Sequence, residues 1–258
     1  MKALTLVPSS FSSSSLCFLV LVSSLCSICF CNQNSDPLLC IPTERLALMD
    51  LKSNLTDPAN RLSSWVGKDC CCWSGVVCDN FTGHVHEIHL RGPDNGIHGH
   101  CHRNYLTGNQ TITSNQMLGG TISPSVIKLL QLRYLDLSCN DFLLGSIPAF
   151  IGSFQNLIYL NLSKSYFFLE IPHQLGNLST LRVLDLHSNY LDSKSLKWLE
   201  NLKGLQYLDM SGIYIPEASD WFPVISNLTS LLELHLSDCL LDQLPNNPQQ
   251  LALRPLLS

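Results

Sequence analysis

Three groups of side chains have types and spacings that could do chemistry. Histidines crowd one stretch: His84, His86 and His89, then His98, His100 and His102 around Cys101. Imidazole and thiolate together are metal ligands. Strand alternation puts His84 and His86 on one face and His89 on the other. Neither a carboxylate pair nor a second cysteine completes a tetrahedral set, so a polar surface loop is the plainer reading. A second group is the row Asp136, Asp185 and Asp209. Glycosidases work with pairs of carboxylates, but Asn161 interrupts this row and nothing implies an enclosing cleft. The plainer reading is exposed strand positions about 5 Å apart. The third group, Cys70-Cys71-Cys72 with Cys78, lacks the C-x2-C pairs of a zinc site. The chain holds no G-x-S-x-G, P-loop or H-E-x-x-H motif. No catalytic, cofactor-binding or metal residue is therefore assigned, and the expectation is a protein that is not an enzyme and needs no cofactor.

What must position such residues follows from composition and pattern. The chain has 258 residues, of which 45% are hydrophobic and 14% charged, so it can build a sizeable core and is not a disordered tail. Its net charge of −5 leaves no basic surplus to neutralise phosphates, which excludes nucleic acid as an expected partner. Lys2 and the apolar run Leu16 to Phe30 read as an export signal over residues 1–31; the rival reading is an uncleaved anchor. Twelve cysteines suit an exported chain, and eight remain after residue 31. Six N-x-S/T sequons, at Asn54, Asn80, Asn109, Asn161, Asn177 and Asn227, are expected to carry glycans.

Self-similarity is the strongest signal. Segments starting at Leu132, Leu157, Leu181, Leu205 and Leu231 lie 25, 24, 24 and 26 residues apart and follow L-x-x-L-x-L-x-x-N. Val85 to Leu90 is a degenerate first copy. This is the leucine-rich repeat signature. Alternation turns the leucines inward and the intervening residues outward. One copy cannot bury its own apolar face; stacked copies share a core and line their strands along one concave side. The predicted fold is α/β, a right-handed leucine-rich repeat solenoid with parallel strands on the concave face. Asn140 and Asn189 should hydrogen-bond turn backbone inside the coil. Ser165, Ile213 and Cys239 replace that asparagine, which predicts less regular turns there. Cys139 and Cys239 read as small apolar residues of the turns.

A solenoid needs its first layer covered. Glu44 to Asn54 predicts an amphipathic helix with Leu48, Leu51 and Leu55 on one face, stopped by Asp57-Pro58. Trp65 is a candidate core aromatic. The expected organisation is a signal peptide over 1–31, a cap over 36–80, about six repeats over 85–242 with an insertion at 91–117, and a divergent tail over 243–258.

The combined motifs resemble a known family. Glu44-Arg45 with Leu48 and Lys52, Leu62-Ser63-Ser64-Trp65 and Cys-Cys-x-Trp-x-Gly-Val-x-Cys are similar to the plant leucine-rich repeat amino-terminal cap. Gly145-Ser146-Ile147-Pro148 and Glu170-Ile171-Pro172 match the plant-specific repeat, whose family forms a second short strand there. The resemblance implies a helical, disulfide-stapled cap in which Cys40 pairs with Cys70 and Cys71 with Cys78; the adjacent Cys72 leaves open a pairing shifted by one. The stretch from Leu196 to Leu241 resembles plant receptor-like proteins of the group that contains the ethylene-inducing xylanase receptors. That implies a non-catalytic extracellular recognition protein of plant immunity or development, secreted or at the cell surface. It would bind a protein, peptide or glycan ligand and signal through a partner receptor-like kinase. Family members carry more repeats and one membrane span, so the expectation is a truncated form whose membrane attachment would need the missing carboxy-terminal span. The alternative is a secreted inhibitor of a pathogen cell-wall hydrolase, similar to polygalacturonase-inhibiting proteins. The expected ligand-binding residues are Tyr134, Asp136, Ser138, Tyr159, His187, Tyr207, Asp209, Glu233 and His235 on the concave face, with Asn161 glycosylation shading its middle.

Overall fold

The structure, a computed structural model, describes residues 40–93, 116–143, 145–215 and 219–241. The histidine-rich segment with His98, His100, Cys101 and His102, the sequon at Asn109, the export segment and the tail from residue 242 lie outside the described residues.

Helix α1 (Pro42–Asn54) starts on a proline, whose fixed φ suits the first helical turn. Its inner face buries Ala47, Leu48 and Leu51, and Leu55 follows at the helix end. Glu44 is buried on the same face at 2% exposure. Its carboxylate accepts the Val85 backbone N–H at 2.7 Å and meets His84 Nδ1 at 2.7 Å, so the helix is tied to the first strand of the repeats. Asp57 accepts the N–H groups of Arg61 and Leu62 at 2.8 and 2.7 Å, turning the chain after the helix. Trp65 and Trp73 stack at 5.4 Å, and their indole N–H groups donate to Ser74 and Val66 carbonyls. Disulfides join Cys40 to Cys70 and Cys71 to Cys78. Cys72 is exposed, its thiol 3.3 Å from Asp69 Oδ2.

The cap meets the repeats along two edges. Strand β1 (Leu55–Thr56) pairs antiparallel with β4 (Gly119–Gly120). Gly120 has φ +84°, and a Cβ there would lie 2.4 Å from the Asn54 carbonyl oxygen, so only glycine fits. Strand β2 (Val76–Cys78) pairs antiparallel with β3 (Val85–His89) through a bulge at Val77/Cys78. Arg61 adds a further tie, donating to Asn140 Oδ1 and to the Leu90 and Arg91 carbonyls.

From β3 the sheet runs parallel through β5 (Tyr134–Asp136), β6 (Tyr159–Asn161), β8 (Val183–Asp185), β10 (Tyr207–Asp209) and β11 (Glu233–His235). With β2 at its edge it has seven strands. Ile88, Leu135, Leu160, Leu184, Leu208 and Leu234 stand in register, all buried beneath it. Among the described residues, five short helical segments make the return path: Pro124–Lys128, Ala149–Ser153, His173–Asn177, Lys197–Asn201 and Trp221–Ser226. Between the two runs a second parallel sheet pairs β7 (Phe168–Glu170) with β9 (Tyr190–Asp192).

The coil interior is wired as its asparagines suggest. Asn189 Nδ2 donates to the Leu162 and Leu186 carbonyls at 2.9 and 2.8 Å, while its Oδ1 accepts from Ser165 and Phe167 N–H at 3.1 Å each. Asn140 makes the same donations to Leu90 and Leu137. Where the asparagine is replaced, Ser165 Oγ donates to Leu137 O at 2.9 Å and the Cys239 thiol to Met210 O at 3.1 Å. Each also lies near a second carbonyl, Ser163 O at 3.0 Å and Ser237 O at 3.6 Å, but a hydroxyl or thiol has one hydrogen to donate where the amide has two. Cys139 is not a plain apolar filler: it is disulfide-bonded.

Candidate functional site

Two columns of side chains cross the open face of the long sheet, one rung per strand, and a third follows at the turns. The register places Glu87, Tyr134, Tyr159, Val183, Tyr207 and Glu233 in the first column. His89, Asp136, Asn161, Asp185, Asp209 and His235 form the second. Two residues further along the chain come Ser138, Ser163, His187 and Ser211.

At one end the first column is an aromatic stack, joined by His89 from the second. His89 lies 4.3 Å from the Tyr134 ring, and Tyr134 lies 4.1 Å from Tyr159 with 7° between planes. Such offset stacking fixes the rings before any ligand arrives. Burial pushes the Tyr134 hydroxyl well above the ordinary phenol range, helped by the Tyr159 hydroxyl and the Asp136 and Glu87 charges.

The second column does a different job. Asp136, Asn161, Asp185 and Asp209 each accept the backbone N–H of the residue two further on, at 2.9, 2.9, 3.2 and 2.9 Å. A short polar side chain bonding its own backbone in this way holds the turn that leaves each strand. Asp136 is 6% exposed and Ser138 fully buried, its hydroxyl donating to Asp136 at 2.6 Å. These two expected ligand contacts therefore serve the turn, and Ser138 does not reach the open face. Asn161 is likewise 6% exposed, accepting from Ser163 and donating to the Tyr159 hydroxyl at 3.3 Å. The amide that the expected glycan would need is thus nearly buried and already hydrogen-bonded. Asn54, Asn80, Asn177 and Asn227 are exposed.

Charge gathers at the other end of the face. His187 Nδ1 lies 2.6 Å from Asp185 Oδ1 and 3.5 Å from Asp209 Oδ2. Ligand atoms of these three residues fall within 4.8 Å of one another, so they are the group on this face whose donors could share a cation. Cys40, Cys70 and Cys71 also converge, but their sulfurs are committed to disulfides. Burial raises the Tyr207 hydroxyl to about 12, and the charges of Asp185, Asp209 and Glu233 push the same way. Tyr207 and the Val183 beside it border an open depression of about 440 Å³. His235 leans on this end, 5.5 Å from the Tyr207 ring and 4.0 Å from Glu233.

Of the residues expected on this face, Tyr134, Tyr159, His187, Tyr207, Asp209, Glu233 and His235 do border it. Glu87 and His89, paired at 2.7 Å, also belong to it. The degenerate first copy could have disclosed them, since aligning Ile88 with Leu135 puts Glu87 at the rung of Tyr134. Val183 was missed because a small residue in an aromatic column gives no signal of its own.

The description "Leucine rich repeat N-terminal domain" matches residues 41–79, and "Leucine Rich Repeat" matches residues 131–154 and 180–202. The chain carries a leucine-rich repeat N-terminal domain followed by leucine-rich repeats. It is 50% identical over 222 residues to Receptor-like protein EIX2 of Solanum lycopersicum, and 40% identical over 225 residues to Receptor-like protein EIX1 of the same plant. Each alignment covers 85% of this chain but only 20% and 21% of the relative, so the chain spans about a fifth of their length. Among solved structures it resembles the leucine-rich repeat ectodomain of the Arabidopsis thaliana receptor kinase GASSHO1/SCHENGEN3 in complex with Casparian strip integrity factor 2. There the TM-score is 0.55 at 25% identity, over 76% of this chain and 24% of that one. No helix among the described residues is long and apolar enough to cross a membrane.

Proposed function

We propose that this leucine-rich repeat chain is a non-catalytic extracellular recognition module that binds a protein or peptide through the open face of its long sheet. The observation that carries the reading is the preorganised row His89–Tyr134–Tyr159, stacked at 4.3 and 4.1 Å beside a cluster of carboxylates. Rigid, half-buried aromatics contribute contact area at low entropic cost, which is why they dominate recognition surfaces. The kinship with receptor-like proteins supports the same role, and the liganded ectodomain of similar fold shows that such a scaffold can hold a partner. A partner receptor-like kinase and a place at the cell surface belong to this proposal, as do glycans on Asn54, Asn80, Asn177 and Asn227.

Panning a library of displayed secreted peptides on the glycosylated full chain tests the reading. Binders are expected whose retention falls at least tenfold on the Tyr134→Ala/Tyr159→Ala variant. A library in which every binder ignores that double change would overturn it.

A further inference from the structure

The aromatic column has a missing rung. Tyr134 and Tyr159 stand on adjacent strands and stack at 4.1 Å. On the next strand the register puts Val183, and beyond it Tyr207. Adjacent strands are about 4.8 Å apart, so Tyr159 and Tyr207 are separated by about two spacings. A ring at position 183 would complete the stack; valine leaves a slot about one flat group thick. That slot is the depression of about 440 Å³ already described, bounded by Tyr159, Val183 and Tyr207 with Asp185 and Glu233 on its rim.

Charge decides what flat group the slot suits. No lysine or arginine is among the described residues that line it. Arg182 precedes Val183 in sequence but does not line the depression. The charged groups around it are Asp185, Asp209 and Glu233, faced by the imidazoles of His187 and His235. A neutral sugar or a proline ring would fill the space but leave the Glu233 carboxylate, 67% accessible and 4.0 Å from His235, without a close partner. A planar cation fills the space and supplies that partner: guanidinium stacks on aromatic faces and forks onto carboxylates, which an ammonium does less well.

We infer that the slot over Val183 is a subsite for an arginine side chain of a peptide or protein ligand, sandwiched between Tyr159 and Tyr207 and paired with Asp185, with Glu233 drawing it in from the rim one strand beyond Tyr207. The inference rests on the recognition role proposed above and names the chemistry of its partner. Glu233 is the exposed partner, its side chain 67% accessible, so it recruits the cation; Asp185, at 11%, anchors it.

Nuclear magnetic resonance titration of the full chain with acetyl-arginine-amide, and in parallel with the citrulline analogue, tests it. Citrulline keeps the shape and removes the charge. Saturable shifts of the Val183 methyls and the Tyr207 ring are expected with arginine, and at least tenfold weaker response with citrulline. Val183→Tyr should abolish the arginine response while leaving the melting temperature in place, and Glu233→Gln should weaken it severalfold. Equal responses to both probes, or an arginine response that survives Val183→Tyr, would overturn the assignment, as would a stronger response to spermidine, which would make the site a polyamine subsite. Panned peptides that depend on Tyr134 and Tyr159 but carry no arginine and tolerate Val183→Tyr would remove the subsite and leave the recognition face standing. Loss of that tyrosine dependence would instead remove the face.

Discussion

The molecule shows aromatic side chains on two sheets, and the two differ in almost everything else. On the flank, around β7 and β9, Phe168, Leu169, Tyr190 and Tyr214 are 44, 51, 64 and 55% exposed. Tyr166 and Tyr190 meet loosely at 6.2 Å with a 33° tilt. The backbone is left-handed at Tyr166 and Leu169, a conformation that non-glycine residues adopt at a cost. On the long sheet Tyr134, Tyr159 and Tyr207 are half-buried and share a column, and the first two stack with 7° between their planes. Exposure alone would point to the flank. Order points to the long sheet, because a surface fixed in advance loses less entropy on binding.

The largest effects should come from the core each sheet covers. Leu184 and Leu191 are both buried, beneath the long sheet and the two-stranded one. Truncating such a leucine costs about 2–5 kcal/mol, more where the cavity cannot collapse. Leu184→Ala, held between strands on both sides, should fall at the upper end in a urea melt and Leu191→Ala at the lower. The reverse order would break the comparison.

Asn189 joins the two sheets, bonding Leu162 beyond β6 and Phe167 before β7. Asn189→Ala strands buried donors and acceptors and should cost about 2 kcal/mol or more, against about 1 kcal/mol for Ser165→Ala. Equal values would mean that the asparagine and serine turns are equivalent after all. Among the tyrosines, Tyr134→Ala should destabilise by about 1 kcal/mol through lost stacking, while Tyr190→Ala stays within about 0.5 kcal/mol.

The mildest test is spectroscopic. Tyr207 ionises at about 12 in the folded chain, above the ordinary phenol near 10. The unfolded state therefore loses this proton first as pH rises, so its stabilising contribution is complete below pH ~10 and fades from there to ~12. Phenolate absorbance should appear late for Tyr207, and Asp209→Asn, which keeps the turn bond but removes the charge, should bring it earlier. An unchanged titration in that variant would show that the Asp209 charge adds nothing to burial and to the Asp185 and Glu233 charges.

The sequence disclosed the repeat and the parallel sheet because each copy writes the same burial pattern, Leu135, Leu160, Leu184 and Leu208 in turn. It disclosed the cap through local signals such as Asp57-Pro58 and the tryptophans. It could not disclose contacts made once over long separations. Glu44 reads as a first-turn acid, yet its partners His84 and Val85 lie some forty residues on. Arg61 reads as a surface cation, yet it bonds Asn140 and two carbonyls of the first repeat. At the face, the register was legible and the roles were not. Asp136 and Ser138 look like outward polar residues, and only the turn geometry shows that they bond each other. Val183 mattered for what it lacks, which becomes visible only between two tyrosines.

The central claim is that recognition belongs to the open face of the long sheet and not to the flank. A photoreactive benzoyl-phenylalanine placed at Tyr207 or at Tyr190 of the full chain, illuminated with a panned peptide bound, tests it most directly. The account predicts covalent peptide adducts from position 207 and none from position 190. Adducts from position 190 with none from 207 would contradict it.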